Sequence, residues 1–497
     1  MMGKQSDYQH KLFVTGFNLE KRIRKDHPLR KIAATIDFDF IYHEVKDTYG
    51  EKGNVSVPPP VILKLMLLLI LYNVRSEREL MLTIAERLDW LYFLGYDLDS
   101  EIPHHSVLSK ARARWGVTTF KSFFERIVLQ CVEAGLVDGT KLFADASLID
   151  ANASNNSVVD THSLKKYLNK SYRQLEKRLD DLRTEKTTPA NSRYISTTDP
   201  NASVTRHSSG RSKLRYKTHR AVDQKYEVIT ATKITTGSVD DGELLEEIID
   251  QHEANTAQSV DTVVADSKYG TIDNYLTCHD RGIKASITSL EKKHRGSGRQ
   301  KGIFPKKAFI YDAASDTFRC PAGHLLKKRN YYTKRSHYEY KASAGICAAC
   351  ELRHYCTRSK DGRTVKRHVR QDELDAMLAH ASSRQAKRDI KTRQHLSERS
   401  FGRSTRYGFK RARWRGLWRV AIQDFLTCAI QNILMMVAHS ERKLSKSTAQ
   451  RGHIFKAQRA PWGKSSFGSL LTKFLNQFTM VLVGHKPIFL VKGEFFC

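Results

Sequence analysis

"VVADSKYG" spans Val263 to Gly270. A short apolar run is followed by one acid, Asp266, and then by a polar turn toward a glycine. An apolar run bounded by turn residues reads as a buried strand. In open α/β sheets, the carboxyl ends of strands are where sites form. Such an acid is more often structural than catalytic, so its meaning depends on its company. Upstream, "SVDDGELLEEIIDQHEAN" (238–255) reads as a helix with acids at its start, where the helix dipole favours them. Downstream, "TIDNYLTCHDRG" (271–282) reads as another helix.

Further upstream, "TKLFADASLID" (140–150) is a second buried strand, dense in apolar residues around Phe143 and Ala144 and ending near Asp145. An amphipathic helix follows at about 162–186, with Leu164, Leu168, Tyr172, Leu175, Leu179 and Leu182 recurring every three or four residues. That stripe is a packing surface. "LRYKTHRAVD" (214–223) and "YEVITATKITT" (226–236) are separated by a polar pair and read as a hairpin. The order is strand, inserted helix, hairpin, helix, strand, helix. It predicts an α/β fold, a mixed sheet covered by helices, with Asp145 and Asp266 both toward the carboxyl ends of their strands.

The chain has 497 residues, 84 Lys and Arg against 53 Asp and Glu, and a net charge of +31. The length allows two to four domains. A soluble chain this basic usually meets a polyanion, and nucleic acid is the commonest candidate. The N-terminus "MMGKQSDYQHKLF" lacks the apolar core of a signal peptide. The longest apolar stretch, Val61–Val74, is interrupted by Lys64 and falls short of the ~20 residues a bilayer span needs. It reads as a buried helix entered through "VPPP". A cytoplasmic, nucleoid-associated location is therefore expected, with no membrane partner and no small-molecule substrate. Residues 31–130 look all-helical. "SERE" has the form of a capping box between Ser76 and Glu79. "IPHHSVLSKARAR" (102–114) begins a basic helix carrying Lys110, Arg112 and Arg114. Short helices ending in a basic one suggest a helix-turn-helix DNA reader; the plain alternative is a helical bundle with a solvated face.

Two further segments carry chemistry. Four of the eight cysteines, Cys320, Cys347, Cys350 and Cys356, follow a basic Gly-rich stretch. Cys347-x-x-Cys350 can hold one tetrahedral ion, and the other two would close a structural zinc site. The alternative is a set of reduced buried thiols. Residues 384–419 hold thirteen lysines and arginines and two acids, Asp389 and Glu398. Glu398 is either a counter-ion or a metal-binding carboxylate among groups that hold an anion. Phe401, Tyr407, Phe409, Trp414 and Trp418 interleave with the arginines, a mix suited to nucleic acid. If Asp145, Asp266 and Glu398 converge, three hard oxygen donors suit Mg2+ or Mn2+. Two such ions would activate the attacking oxygen and stabilise the leaving oxygen of a phosphodiester.

"FADASLIDANAS" (143–154), "VVADSKYG" and "SERSFGRSTRYGFKRARWRGLWRV" (397–420) together resemble the DDE transposases of bacterial insertion sequences. "PHHSVLSKARAR", "YISTTDPNAS", "YKTHRAVD" and "ITTGSVDD" resemble further stretches of the same enzymes, and the Cys-rich insertion resembles a subset of them. The likeness covers roughly 35–440. It implies an RNase H-like core, a helical N-terminal domain of the InsH type and the acidic set Asp145, Asp266 and Glu398. Asp138 and Asp150 are rivals for the first acid, Asp261 for the second and Asp389 for the third. The resemblance implies a basic arm at 1–34, a helical DNA-binding domain at 35–135 and a first part of the catalytic core at 136–290, with a helical insertion near 160–190. The basic and Cys-rich insertion then covers 291–380, the last part of the core 381–440 and a basic tail 441–497. Lys110, Arg112, Arg114, Arg393, Arg399, Arg403, Lys410, Arg411, Arg413 and Arg415 are the expected DNA-binding residues. The expected partners are double-stranded DNA, both the element's terminal inverted repeats and the target, and a second copy of the chain in a synaptic complex. Two positions depart from the pattern. Relatives often have Arg four residues before the Glu and Lys seven after, where this chain has Gln394 and Thr405; Arg393, Arg403 or Lys410 are the residues that would take over. The apolar end of the tail has no counterpart. A nuclease without strand joining and an inactive DNA-binding remnant are the rival readings.

Overall fold

The computed structural model describes residues 2–3, 18–161, 191, 193–206, 210–288, 302–457, 478–483 and 486–491, with side chains up to residue 442. The helix expected at 162–186 lies outside the described residues. Two units separate, 1–438 and 439–497. In the second, strands Phe478–Val483 and Lys486–Val491 pair antiparallel. Everything below concerns the first unit. Helix makes up about 49% and strand about 19%, as an α/β chain requires.

The N-terminal part contains α1 (Leu19–Arg22), α2 (Pro28–Thr35), α3 (Phe40–Val45), α4 (Pro59–Leu71), α5 (Glu77–Glu86), α6 (Leu88–Leu94) and α7 (Ser106–Glu133). α4 starts on its prolines, whose fixed φ suits a first turn, and is buried on nearly every side. One half of the predicted capping box forms: the Ser76 hydroxyl accepts from the Glu79 N–H at 3.1 Å, while the Glu79 carboxylate faces Arg75 at 3.7 Å. The segment expected as a loose arm is partly folded. Leu29 and Ile32 of α2 are buried in the helical core, because their spacing of three puts both on one face. α7 is broken at Gly116, whose φ of 70° lies in the left-handed region.

One sheet holds the acids. Its strands are β1 (Lys141–Asp150), β4 (Ser203–Thr205), β5 (Lys213–Asp223), β6 (Ile229–Thr236), β7 (Thr262–Ala265) and β8 (Lys284–Ile287); the short pair β2 (Val158–Asp160) and β3 (Tyr194–Ser196) lies apart. β5 lies antiparallel to both β1 and β6, while β1, β7 and β8 run parallel, so the order is β6-β5-β1-β7-β8, with β4 also on β5. The predicted hairpin and mixed sheet are both present. One expectation is corrected. β1 does not end near Asp145 but continues to Asp150. It outgrows β7 after Phe143, yet every residue to Asp150 keeps its partner on β5, and Asp150 then bridges to Arg411.

On one face, α8 (Leu245–Thr256) and α9 (Ile272–Asp280) pack Leu245, Ile249 and Tyr275 against Ala144, Val263 and Ala285. On the other lie α13 (Arg384–Arg406) and α14 (Leu417–Ala457). Between them in sequence, β9 (Ile310–Asp312), β10 (Thr317–Arg319), β11 (Leu325–Tyr332), β12 (His337–Lys341) and β13 (Thr364–His368) form an antiparallel sheet in the order 13-12-11-10-9. Short helices α10 (Ala344–Ala348) and α11 (Arg353–Cys356) are inserted in it, and α12 (Gln371–Ala381) follows. The first part of α14, Leu417–Arg442, is long and apolar enough to cross a membrane by length and composition, but 83% of its apolar window is buried inside the protein. Its Ile422, Phe425, Leu426 and Ile433 join the core of the N-terminal helices. The helical part and the sheet are therefore welded through α14.

The deepest polar contact is an ion pair between Arg220 of β5 and Asp424 of α14, at 2.8 Å with each side chain 1% exposed. Thr218 and Thr232 also donate to Asp424. Asp424→Ala leaves the guanidinium buried without its counter-charge, so we expect a loss of about 3–5 kcal/mol in urea unfolding. A loss below about 1 kcal/mol would show that the pair does not hold the elements together.

Candidate active site

Asp145 lies on β1 just where β7 stops pairing, which opens its surroundings on that side. Three groups touch its carboxylate. Arg393 of α13 is 2.7 Å away, the Ala146 N–H donates at 2.9 Å, and the Ser397 hydroxyl hydrogen-bonds to it. Burial nevertheless pushes this carboxyl above the usual carboxylate range, against Arg393 and these hydrogen bonds, and the charge of Asp266 adds to the rise. Asp266 is the first residue after β7. Buried Val263, Val264 and Ala265 end there, and its side chain caps the next turn by accepting from the Lys268 N–H at 2.9 Å. Asp145 and Asp266 thus sit at the ends of the paired stretch of two adjacent parallel strands and feel one another.

A third aspartate in this neighbourhood was not singled out in the sequence. Asp241 is 4% exposed and binds Lys217 at 2.5 Å and Lys268 at 2.9 Å. Burial acts to raise its pKa, but the two ammonium groups outweigh it and hold it low. Through Lys268 it pins the turn that Asp266 caps. Buried Tyr269, whose hydroxyl is raised first by burial, also feels the charges of Asp241, Asp145 and Asp266. The only sequence signal for Asp241 was its place among the acids opening a helix.

Glu398 stands differently. It is exposed, and its carboxylate accepts from Gln394 at 3.2 Å. It follows Ser397 directly, so its helix is at the site, but its carboxylate is not drawn in. Among the described residues, the only three His, Cys, Asp or Glu side chains with ligand atoms within 4.8 Å of one another are His279, Asp280 and Glu373. Arg370 binds both of those carboxylates, which makes that group an ion-pair cluster.

The rival acids are engaged elsewhere. Asp389 is buried against Lys141 at 3.0 Å, at the far end of β1. Asp150 is held by Lys213 and Arg215, each at 2.8 Å. Asp138 accepts from the Thr140 hydroxyl, and Asp261 precedes β7 with its N–H on the Thr140 carbonyl. Of the residues named to replace the missing Arg and Lys, Arg393 is at Asp145, while Arg403, like Arg399, is bound to Glu227. Lys410 is exposed.

The expected DNA-binding set divides. Lys110, Arg114, Lys410, Arg411 and Arg415 are exposed. Arg112 is not a surface residue: it is 3% exposed, paired with Glu77 and stacked 4.0 Å from the Trp414 ring. Arg413 is half-buried and donates to the Val74 carbonyl and to Asn73. The interleaved aromatics are likewise turned inward. Phe401 and Phe409 lie against Arg220, and Trp418 stacks on Arg419. A ring face takes up part of what a buried guanidinium needs, while Arg112 Nε and Nη1 and Arg220 Nε keep no hydrogen-bond partner.

The four cysteines are free thiols that line one small cavity of about 20 Å³, together with His324 and Arg363. Burial raises the Cys356 thiol, and the other three raise it further.

Comparison with known families gives two matches. Residues 17–114 match a transposase domain (DUF772), and residues 319–437 match a transposase DDE domain. The second stretch carries Glu398 and the four cysteines. No curated protein and no solved structure gives a significant match. The two domains support a transposition enzyme of the DDE class, a family that acts on DNA and uses divalent metal; Asp145 and Asp266 lie outside both matched stretches. The chain is recognised through them as a DDE transposase of an insertion sequence.

The donor set fits a hard cation. Asp145 is a partly buried carboxylate, its side chain 23% exposed, only partly compensated by Arg393 and with a second carboxylate nearby. A raised folded pKa means that ionised Asp145 opposes folding once pH passes its ordinary value, and the cost is fully present above the raised one. Without metal, Asp145→Asn should therefore melt higher than wild type near neutral pH, with the gap closing toward pH 4. Millimolar Mg2+ should raise the melting temperature of wild type alone. A variant that melts lower at neutral pH, or gains equally from Mg2+, would refute this account of Asp145.

Proposed function

We propose that this chain binds the terminal inverted repeats of its own element, cuts DNA at the 3′ ends and joins those ends to a target by transesterification. The observation that carries the reading is the meeting of Asp145 and Asp266 on adjacent parallel strands, with α13 laid across them. The strand order β6-β5-β1-β7-β8 supports an RNase H-like core assembled from residues 136–290 and 381–440.

In this reading Asp145, Asp266 and Glu398 hold two Mg2+ or Mn2+ ions. Bound there, the ions supply an activated water or 3′-hydroxyl and stabilise the leaving oxygen. The protein's own groups prepare the place. Asp266 is held by its turn, and Asp241 holds that turn through Lys268. Arg393 and Ser397 orient Asp145. Glu398 lies on the exposed side of α13 beside Gln394, so it would join the site only if α13 rotated about its axis. Two element ends are brought together by a homodimer.

Asp266→Asn keeps the side chain's size while removing a metal ligand. It should abolish Mg2+-dependent cleavage of end DNA, a drop of at least 10³-fold, with DNA binding retained. Persistent cleavage would refute the assignment. Wild-type cleavage without joining points to a nuclease, and binding without cleavage to an inactive remnant, which the departures at Gln394 and Thr405 would then explain.

The four thiols line one cavity and would hold a structural zinc ion if their sulfurs drew in, since no three of them lie within 4.8 Å of one another. The sheet around them buries a core of only six apolar residues, Phe309, Phe318, Leu326, Tyr340, Ala342 and Val365, too few to hold such a piece firmly. Metal analysis of the purified protein should find one zinc per chain, and Cys347→Ser with Cys350→Ser should lose it. A zinc-free wild type would leave the thiols as reduced core residues.

A further inference from the structure

Between α5, the start of α7 and residues 411–414 lies a cleft of about 760 Å³. Arg75, Arg78, Arg112, Arg411 and Arg413 line it, against one acid, Glu77. Arg75, Arg78 and Arg411 are exposed at its rim. The others are built in. Arg112, 97% buried by its 3% exposure, meets Glu77 at 2.5 Å through Nη2, while its Nε and Nη1 are buried without a hydrogen-bond partner. Arg413 likewise has a buried, unpartnered Nε. Unmade hydrogen bonds on a buried guanidinium are costly, and one glutamate does not offset five arginines. An anion with several oxygens would meet both deficits, and guanidinium is the side chain best shaped for phosphate.

We propose that this cleft takes the phosphodiester backbone of duplex DNA. The proposal rests on the reading of DNA as substrate and adds where the duplex lies. The floor of the cleft is fastened to the strand that carries Asp145: the Ala412 N–H donates to the Asp150 carbonyl at 2.8 Å, and the Asp150 N–H to the Lys410 carbonyl at 3.0 Å. Asp145 is five residues back along an extended strand, roughly 17 Å at ~3.4 Å per residue. The contact is to phosphate, so it serves any sequence and positions the duplex without reading it.

The test uses the full-length protein and a random-sequence duplex of about 30 base pairs, with affinity followed against KCl concentration. The variant is Arg75→Ala/Arg78→Ala/Arg411→Ala. A charge-matched control, Lys327→Ala/Lys334→Ala/Arg335→Ala, removes three exposed cations from β11 and the turn after it. The cleft variant should lower the slope of log affinity on log salt by roughly 2–3, about 0.9 per lost phosphate contact, and weaken binding at least 10-fold near physiological salt. Its melting temperature should match wild type, and the control should keep the wild-type slope. An unchanged slope in the cleft variant, an equal fall in the control, or no binding of random duplex by wild type would each overturn the proposal. The two readings fail separately. A wild type that binds through the cleft and never cleaves sinks the enzymatic reading alone, and a cleaving enzyme indifferent to the cleft variant sinks this one alone.

Discussion

Arg220 and Asp424 face one another where water does not reach, and four elements meet on them. Arg220 stands opposite Asp145 in the register of β5 on β1, and its second nitrogen donates to Ser404 of α13. Asp424 brings α14, and Thr232 brings β6. Burying two charges is expensive, and the arrangement is supported by hydroxyls on Asp424 and on Arg220 Nη1 and by two ring faces, with Arg220 Nε alone left without a hydrogen-bond partner. The same pair sets the register of α13. That helix is tied at Ser404 by Arg220, at Asp389 by Lys141, and midway by Leu396 against Phe143 and Val264. Positions 389, 396 and 404 are about two turns apart, so they share one face. Arg393 and Ser397 border that face and reach Asp145. Glu398, about 100° further round, lies on the exposed far side of the helix beside Gln394.

The electrostatics of the site follow from that geometry. The acid on β1 is under-compensated: one guanidinium and two hydrogen bonds do not overcome its burial, and a neighbouring carboxylate works against them. The acid 27 residues before Lys268, Asp241, is over-compensated by two ammonium groups. Two aspartates in one neighbourhood thus have opposite tendencies, set by what faces them. Asp241 is suited to hold structure. Asp145 is suited to take a cation, because a cation is what its surroundings lack.

Much of this was legible in the chain. The apolar runs before Asp145 and Asp266, the polar pair between two alternating strands and the acid-led helix at 241 each carry a local signal, and local signals survive folding when they agree with one another. The strand runs past the end expected near Asp145 because pairing with β5 is a long-range fact: of residues 146–150 only Ile149 is buried, and the others are half-buried. The sheet of 310–368 is hard to read in the sequence because its longest strand, Leu325–Tyr332, exposes nearly every side chain, and the others are only three to five residues long. Asp389 and Glu398 are indistinguishable in composition. Only the lysine waiting at the start of β1 separates them.

The basic segment teaches the same lesson about charge. A run of arginines interleaved with aromatics suggests a surface for bases and phosphates, yet Phe401, Phe409 and Trp414 are turned onto Arg220 and Arg112 inside the molecule. Pattern alone cannot tell a ring waiting for a base from a ring covering a buried guanidinium, since both need the same π face. Net charge is therefore a poor map of where a polyanion binds. What remains after the internal pairs are subtracted, the exposed arginines and the buried N–H groups still unmet, is the better one. In this chain one part of that remainder, Arg75, Arg78 and Arg411 with the unmet nitrogens of Arg112 and Arg413, lies beside the end of β1, the strand that carries Asp145.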